Sequence, residues 1–290
     1  KTSHEILFPF WIPLLSPFFN RFLVRFWPFN HFGLTNFLVA RPLSVAHSHK
    51  DAPRVSVIVP ARNEAGNIEN IINRTPEMGG GTEIVFVEGN STDDTWQTIL
   101  DKVKDHTEKN CLAMQQTGKG KGDAVRLGFS KATGQILMIL DADLTVPPED
   151  LPRFYDALVS GKGDFINGVR LVYPMEDEAM RFFNFLGNKF FSLAFSWLLG
   201  QPVKDTLCGT KVVWKKDYER ISANRYVFGD FDPFGDFDLL FGAARLNFKI
   251  IDLPIRYRAR TYGSTNIERW KHGLLLLRMV LFAARRIKFI

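Results

Sequence analysis

The chain has 290 residues, with 37 Lys+Arg against 31 Asp+Glu, a formal net charge of +6, 46% apolar residues and 13% aromatic ones. So high an apolar content excludes a disordered chain, and the length allows one large domain or two small ones. Two cysteines, Cys111 and Cys208, exclude a disulfide framework, no Cys-x-x-Cys or His-Glu-x-x-His pairing points to zinc, and a reducing cytoplasm is the expected compartment.

Residues 1–50 hold eleven Phe and Trp, with Pro13, Pro17 and Pro28 among them. Two readings stand: a docking or linker segment whose aromatics pack on a neighbour, or an aromatic belt at a membrane interface. No apolar run reaches the roughly 20 residues that span a bilayer. The chain opens without Met or a cleavable leader and reads as cut from something longer.

From Pro53 onward, β-branched and apolar runs at 55–59, 84–87, 111–116 and 136–140 read as strands. Between and after them, 64–74, 93–104, 122–131 and 149–159 read as helices, the second capped by Ser91 or Thr92. Such alternation gives an α/β fold, a mostly parallel sheet with helices on both faces and active residues at the strands' C-terminal ends. Beyond residue 160 the pattern loosens. Residues 182–200 form an apolar helix with one polar stripe (Asn184, Asn188, Ser192, Ser196), either central in the core or lying in a membrane interface.

Residues 254–290 carry nine Lys/Arg against one acid, Glu268, whereas residues 1–253 sum to −2. The apolar run 274–284, followed by Arg285, Arg286 and Lys288, suits a helix lying flat on anionic lipid. Three segments result: 1–50, 51–255 and the basic, amphipathic 256–290.

The chemistry concentrates where the fourth strand ends, at Leu140-Asp141-Ala142-Asp143-Leu144-Thr145. Two carboxylates one residue apart can grip a hard cation, Mg²⁺ or Mn²⁺, that neutralises a diphosphate. The same Asp-x-Asp-x-Thr also resembles the nucleophile motif of haloacid-dehalogenase-type phosphatases, although there it lies on the first strand.

Upstream stand Pro60-Ala61-Arg62-Asn63-Glu64, Val87-Glu88-Gly89-Asn90-Ser91-Thr92-Asp93-Asp94 and Gly120-Lys121-Gly122. Their order and spacing resemble family 2 glycosyltransferases of the GT-A fold, and within them the dolichyl-phosphate mannosyltransferase and polyprenyl-phosphate glycosyltransferase group. Asp141-Ala-Asp143-Leu-Thr-Val-Pro147-Pro148, Gly168-Val-Arg170, Gly209-Thr-Lys211 and Arg260-Thr-Tyr-Gly263-Ser-Thr265-Asn266 extend the likeness over about residues 53–268. Gly89 stands where the group often has Asp, Thr145 where it has Gln, and Asn266 where it has Lys. Phe32 to Pro42 is similar to the tail of a methyltransferase domain fused ahead of such enzymes.

The resemblance implies a metal-dependent, inverting hexosyltransferase, peripheral to the cytoplasmic membrane face, moving sugar from a nucleoside diphosphate to a polyprenyl phosphate. Pro60, Ala61, Arg62, Glu64, Glu88, Lys121 and Ala142 would line the donor site, with Asp141 and Asp143 on the metal. Arg170, Arg181, Arg258 and Arg260 would hold the acceptor phosphate, and Asp238 would orient the acceptor. The Asp230–Asp238 loop begins like a calcium loop, but Phe234 and Phe241 occupy ligand positions and exclude that reading. No nucleic acid partner is expected, and no His receives a role. A soluble family 2 enzyme acting on a hydroxyl acceptor is the alternative.

Overall fold

In the computed structural model of the chain, the described residues are 2–40, 52–170, 182–227, 235–256, 258, 260, 262 and 269–289. The first of these build a small unit. Strand β1 (Thr2–Glu5) pairs antiparallel with β2 (Thr35–Leu38), and α1 (Leu15–Pro17) with short 3₁₀ and π turns runs between them.

The main sheet has seven strands: β3 (Val55–Ala61), β4 (Thr82–Glu88), β5 (Asn110–Gln115), β6 (Ile136–Ile139), β7 (Phe165–Val169), β8 (Lys211–Trp214) and β9 (Ile250–Pro254). Their spatial order is β5-β4-β3-β6-β8-β7-β9, and β8 alone runs against the rest. The expected α/β architecture with a mostly parallel sheet is therefore present. Strands β4, β6 and β7 are buried at every residue, because helices cover both faces. Edge strand β5 has only exposed and half-buried residues.

The helices are α2 (Ile68–Arg74), α3 (Thr95–Asp105), α4 (Lys121–Lys131), α5 (Leu151–Val159), α6 (Phe182–Leu199), α7 (Lys215–Ala223), α8 (Asp236–Arg245) and α9 (Arg269–Ala283). The period of two in β3 splits the core. Val55, Val57 and Val59 pack with Ile71, Ile99 and Phe154 of α2, α3 and α5, while Ile58 faces Phe129, Phe195, Phe237 and Phe241 of α4, α6 and α8. Each buried Phe contributes about 2 kcal/mol by area, and truncation of Phe154 to Ala would cost about 3–5 kcal/mol.

Three details differ from the sequence expectation. The helix expected from residue 64 begins at Ile68, after a 3₁₀ turn (Ala65–Asn67), because the Asn67 amide donates back to the Glu64 carboxylate at 2.8 Å. Neither Ser91 nor Thr92 caps α3. Ser91 Oγ instead accepts the Asn63 N–H at 3.0 Å, and Thr92 N–H donates to Asn63 Oδ1 at 2.8 Å, so both tie the first two strand-end loops together. Strands β7, β8 and β9 were not legible past residue 160, since β8 is a four-residue strand containing a lysine.

In α6 the serine half of the polar stripe faces the return loop, while the side chains of Asn184 and Asn188 lie outside the described residues. Ser192 and Ser196 hydroxyls both donate to Val203 O, at 2.9 and 3.1 Å, and thereby hold the return loop. Phe195, Leu198 and Leu199 are buried, whereas Phe190 and Leu193 are exposed. The helix thus has a core face and an uncovered apolar face. No helix among the described residues is long and apolar enough to cross a membrane.

Candidate active site

Parallel strands deliver their C-terminal loops to one edge. There β3 brings Pro60–Glu64, β4 brings Glu88, β6 brings Asp141–Asp143 and β7 brings Arg170. Reversed strand β8 starts where its neighbours end, with Lys211 opposite Asn167 and Val212 opposite Met138, so Gly209 arrives beside Asp141. A Cβ at Gly209 would meet the Asp141 carboxylate and the Lys121 ammonium, so a larger residue there would displace those two side-chain ends. Gly122 lies against the backbone of Gly235, which sets the start of α8 beside the start of α4.

The Asp141–Thr145 turn is closed by Leu144 N–H to Asp141 O at 3.3 Å and puts Leu144 at φ +55°. That conformation costs a bulky residue about 1 kcal/mol, offset here by burial of its side chain. Thr145 donates from its N–H (3.1 Å) and hydroxyl (2.8 Å) to Asp143 Oδ1, fixing that carboxylate. Ala142 and Ala61 are buried beneath, and Pro60 is half-buried.

Cations gather on these acids. Lys121 Nζ lies 2.6 Å from Asp141 Oδ1. Arg260 spans two carboxylates, 2.9 Å from Asp143 Oδ2 and 3.3 Å from Glu64 Oε1. Burial pushes the Glu64 carboxyl up to about 7, with Arg260 opposing and Asp143 adding to the rise. Burial also disfavours an ionised Asp141, but Lys121, then Lys211 and Arg170, outweigh it and hold the carboxyl below its ordinary range. For Lys121 the burial cost is overcome by Asp141 and Asp236, which hold its ammonium above the usual range.

The remaining predicted residues fall into distinct places. Glu88 is buried and accepts from Ser91 N–H at 2.5 Å and the Gln115 amide at 2.9 Å. Burial works against its charge, yet these donors hold its carboxyl below the ordinary range. Its geometry shapes the loop after β4. Arg62 is exposed. Arg170 grips Asp205 with two N–H groups, at 2.7 and 2.9 Å. Arg258 is exposed, and its backbone N–H donates to Thr145 O at 2.9 Å. Asp238 is buried and pairs with Arg225 at 3.0 Å. Arg181 lies outside the described residues. The fold thus gathers Glu64, Lys121, Asp141, Asp143 and Arg260 into one cluster, and on α8 it is Asp236 rather than Asp238 that Lys121 and Lys211 feel.

Two functional-edge residues received no assigned role from sequence. Asp205 accepts, besides Arg170, the N–H groups of Leu207 (2.9 Å) and Cys208 (3.1 Å). Lys211 is fully buried, donates to Cys208 O and lies 3.6 Å from Asp236. Lys211 ahead of Val212-Val213-Trp214 was the available signal, since burial demands that such a charge pair; Asp205, next to Lys204, offered none.

Hard oxygen donors suit Mg²⁺ or Mn²⁺, and Asp141 and Asp143 already draw a cation each, so this turn fits a divalent ion. No group of three or more acidic, His or Cys ligands gathers among the described residues. An ion here would complete its shell with diphosphate and water oxygens, the usual habit of Mg²⁺.

Comparison with known proteins adds three findings. The model of the family described as "Glycosyl transferase family 2" matches residues 56–221. Dolichol-phosphate mannosyltransferase of Pyrococcus furiosus is 27% identical over 74% of this chain and 59% of its own length. An undecaprenyl-phosphate 4-deoxy-4-formamido-L-arabinose transferase of Pectobacterium carotovorum is 30% identical over 41% of this chain and 38% of its own length. The chain therefore spans less than two thirds of either relative. Among solved structures, glucosyl-3-phosphoglycerate synthase of Mycobacterium tuberculosis bound to UDP superposes with a TM-score of 0.58 at 18% identity, covering 86% of each chain. A Pyrobaculum calidifontis mannosyltransferase with GDP-Man and Mn²⁺ gives 0.53 at 20% identity, covering 81% of this chain and 64% of that one. At such identities the likeness shows the fold alone.

Proposed function

The chain belongs to glycosyl transferase family 2, and on that premise we propose that it transfers a sugar, with inversion, from a nucleoside diphosphate to a polyprenyl phosphate. The haloacid-dehalogenase reading is overturned by the family match. The observation that carries the proposal is the cluster of Asp141, Asp143 and Glu64 with Lys121 and Arg260 at the strand ends. Relatives named for dolichol phosphate and undecaprenyl phosphate favour the lipid phosphate over a hydroxyl acceptor.

Asp141 and Asp143 would hold Mg²⁺ or Mn²⁺, which when bound neutralises the diphosphate leaving group. The loops ending in Glu64 and Glu88, with Pro60, Ala61, Arg62 and Ala142, seat the nucleoside. Lys121 stands at the N-terminus of α4, where backbone N–H groups favour phosphate, and adds its own charge. The acceptor phosphate is already anionic, so it needs orientation rather than a strong base. Arg258 and Arg260 supply that orientation from the loop after β9, and Arg170 from the end of β7, steadied by Asp205. On α8 the acid nearest the acceptor is Asp236, beside Lys121 and Lys211, while Asp238 stays paired with Arg225. The enzyme works at the membrane face, as a peripheral protein.

The test is a panel of labelled nucleotide sugars, each with and without polyprenyl phosphate and Mn²⁺. Label moving into the lipid fraction is the expected result. Transfer only to free glycans would replace the lipid acceptor with a hydroxyl one.

A further inference from the structure

Large apolar side chains are exposed unevenly. Of 24 such residues among those described, 15 lie between Ile6 and Val39 and five more on α6 and α9, so the exposure is one regional feature rather than scatter. Trp11 and Trp27 are 79% and 78% exposed, and Phe10, Leu14 and Phe32 exceed 65%.

These segments are joined. Phe26 stacks on Trp197 of α6 with centroids 5.3 Å apart, and Phe22 on Phe289, beyond α9, at 5.4 Å. The Trp197 indole donates to Arg25 O at 3.0 Å, and Arg21 donates to Phe289 O at 2.8 and 3.1 Å. Helices α6 and α9 pack on each other. On α9, Leu276, Met279 and Ala283 face the core, while Leu274, Leu277 and Leu281 are exposed along with Arg278 and Arg285.

Charge selects the occupant. Residues 2–40 and 269–289 contain one acid, Glu5, which pairs with Arg25 at 3.6 Å. Exposed Arg278, Arg285 and Arg286 flank the apolar surface, and Lys288 lies over the Trp197 ring. Aromatic residues with a basic rim match the headgroup layer of an anionic bilayer.

We propose that residues 6–39 form an aromatic platform which, clamped onto α6 and the C-terminal end through Phe22, Phe26, Trp197 and Phe289, docks the chain on an anionic lipid surface. The inference rests on the lipid-phosphate reading and adds the surface that meets the bilayer. Trp11 and Trp27 enter the headgroup region, and the arginines bind lipid phosphates.

The test uses the whole chain with phosphatidylglycerol/phosphatidylcholine vesicles, pure phosphatidylcholine vesicles, and doxyl-labelled lipids that quench tryptophan. Binding to anionic vesicles, weakened by salt, with doxyl quenching is expected. Trp11→Ser/Trp27→Ser should lower the vesicle partition about tenfold and remove most quenching. Its circular dichroism, and its transfer rate to a water-soluble short-chain polyprenyl phosphate, should stay at the wild-type level. No binding to anionic vesicles at low salt, quenching unchanged in the double variant, or a dimer that shields both tryptophans from aqueous acrylamide would overturn the platform. Vesicle binding without any sugar transfer would uphold the platform and remove the lipid-acceptor reading instead.

Discussion

The ammonium of Lys121, in the first turn of α4, lies 2.6 Å from the carboxylate of Asp141, in the turn after β6. Two strand-to-helix loops, separated in sequence by β6 and all of α4, are thereby locked together at the sheet's C-terminal edge. Gly209 lies beside both partners, and a side chain at that position would meet their charged ends. Lys121→Met should raise the Asp141 carboxyl toward its ordinary range and leave a half-buried acid without its main partner. A loss of about 10- to 100-fold in kcat/KM, larger in kcat than in KM, is expected from steady-state transfer assays.

Asp143 is held by two donors from Thr145 and by Arg260. Asp143→Ala should reduce transfer at least about 1000-fold while the sheet stays intact. Activity in extracts with labelled donor, alongside a thermal unfolding curve, separates the two effects. Full activity in this variant would remove Asp143 from the metal site.

Glu64 gives a pH signature. Its carboxyl is pushed up to about 7 in the folded chain from an ordinary value of 4.5. Between those values the folded state binds more protons than the unfolded one, so this group's contribution to stability falls as pH rises through 7. Denaturant unfolding at closely spaced pH values should show that slope, and Glu64→Gln should flatten it. A steeper slope in the variant would reverse the assignment.

Asp205 shows the opposite sign. Burial raises the cost of its charge, but Arg170 and backbone N–H groups hold its carboxyl below the ordinary 3.8. Its stabilisation is present above that ordinary value and is lost as pH falls through the folded one. Asp205→Asn would leave Arg170 with a lost partner in a largely buried place and should cost about 3 kcal/mol in urea unfolding. Transfer should fall through KM for the acceptor, with kcat less affected.

Much of the site was legible because it sits on strands whose burial is continuous in sequence. The runs that became β3, β4, β5 and β6 announced themselves by β-branched and apolar residues, and the acids at their ends followed. Arg260 was legible as a cation but not as the bridge between Glu64 and Asp143, since a loop more than a hundred residues downstream of Asp143 has no periodicity to place it. Lys211 and Asp205 were hidden for another reason: each looks like a surface charge until the reversed strand β8 and the 200–210 loop bury it. The partner of Ser192 and Ser196 on α6, Val203 O, lies in a backbone turn that no side-chain pattern reports.

The clamp formed by Asp141 and Asp143 is tested most directly by the Mn²⁺ electron paramagnetic resonance signal. Nucleoside diphosphate alone weakens the sharp spectrum of free Mn²⁺, and adding the native chain should lower it further. That further loss should be absent with the Asp141→Asn and Asp143→Ala variants under the same conditions. An equal further loss with the native chain and both variants would contradict the clamp.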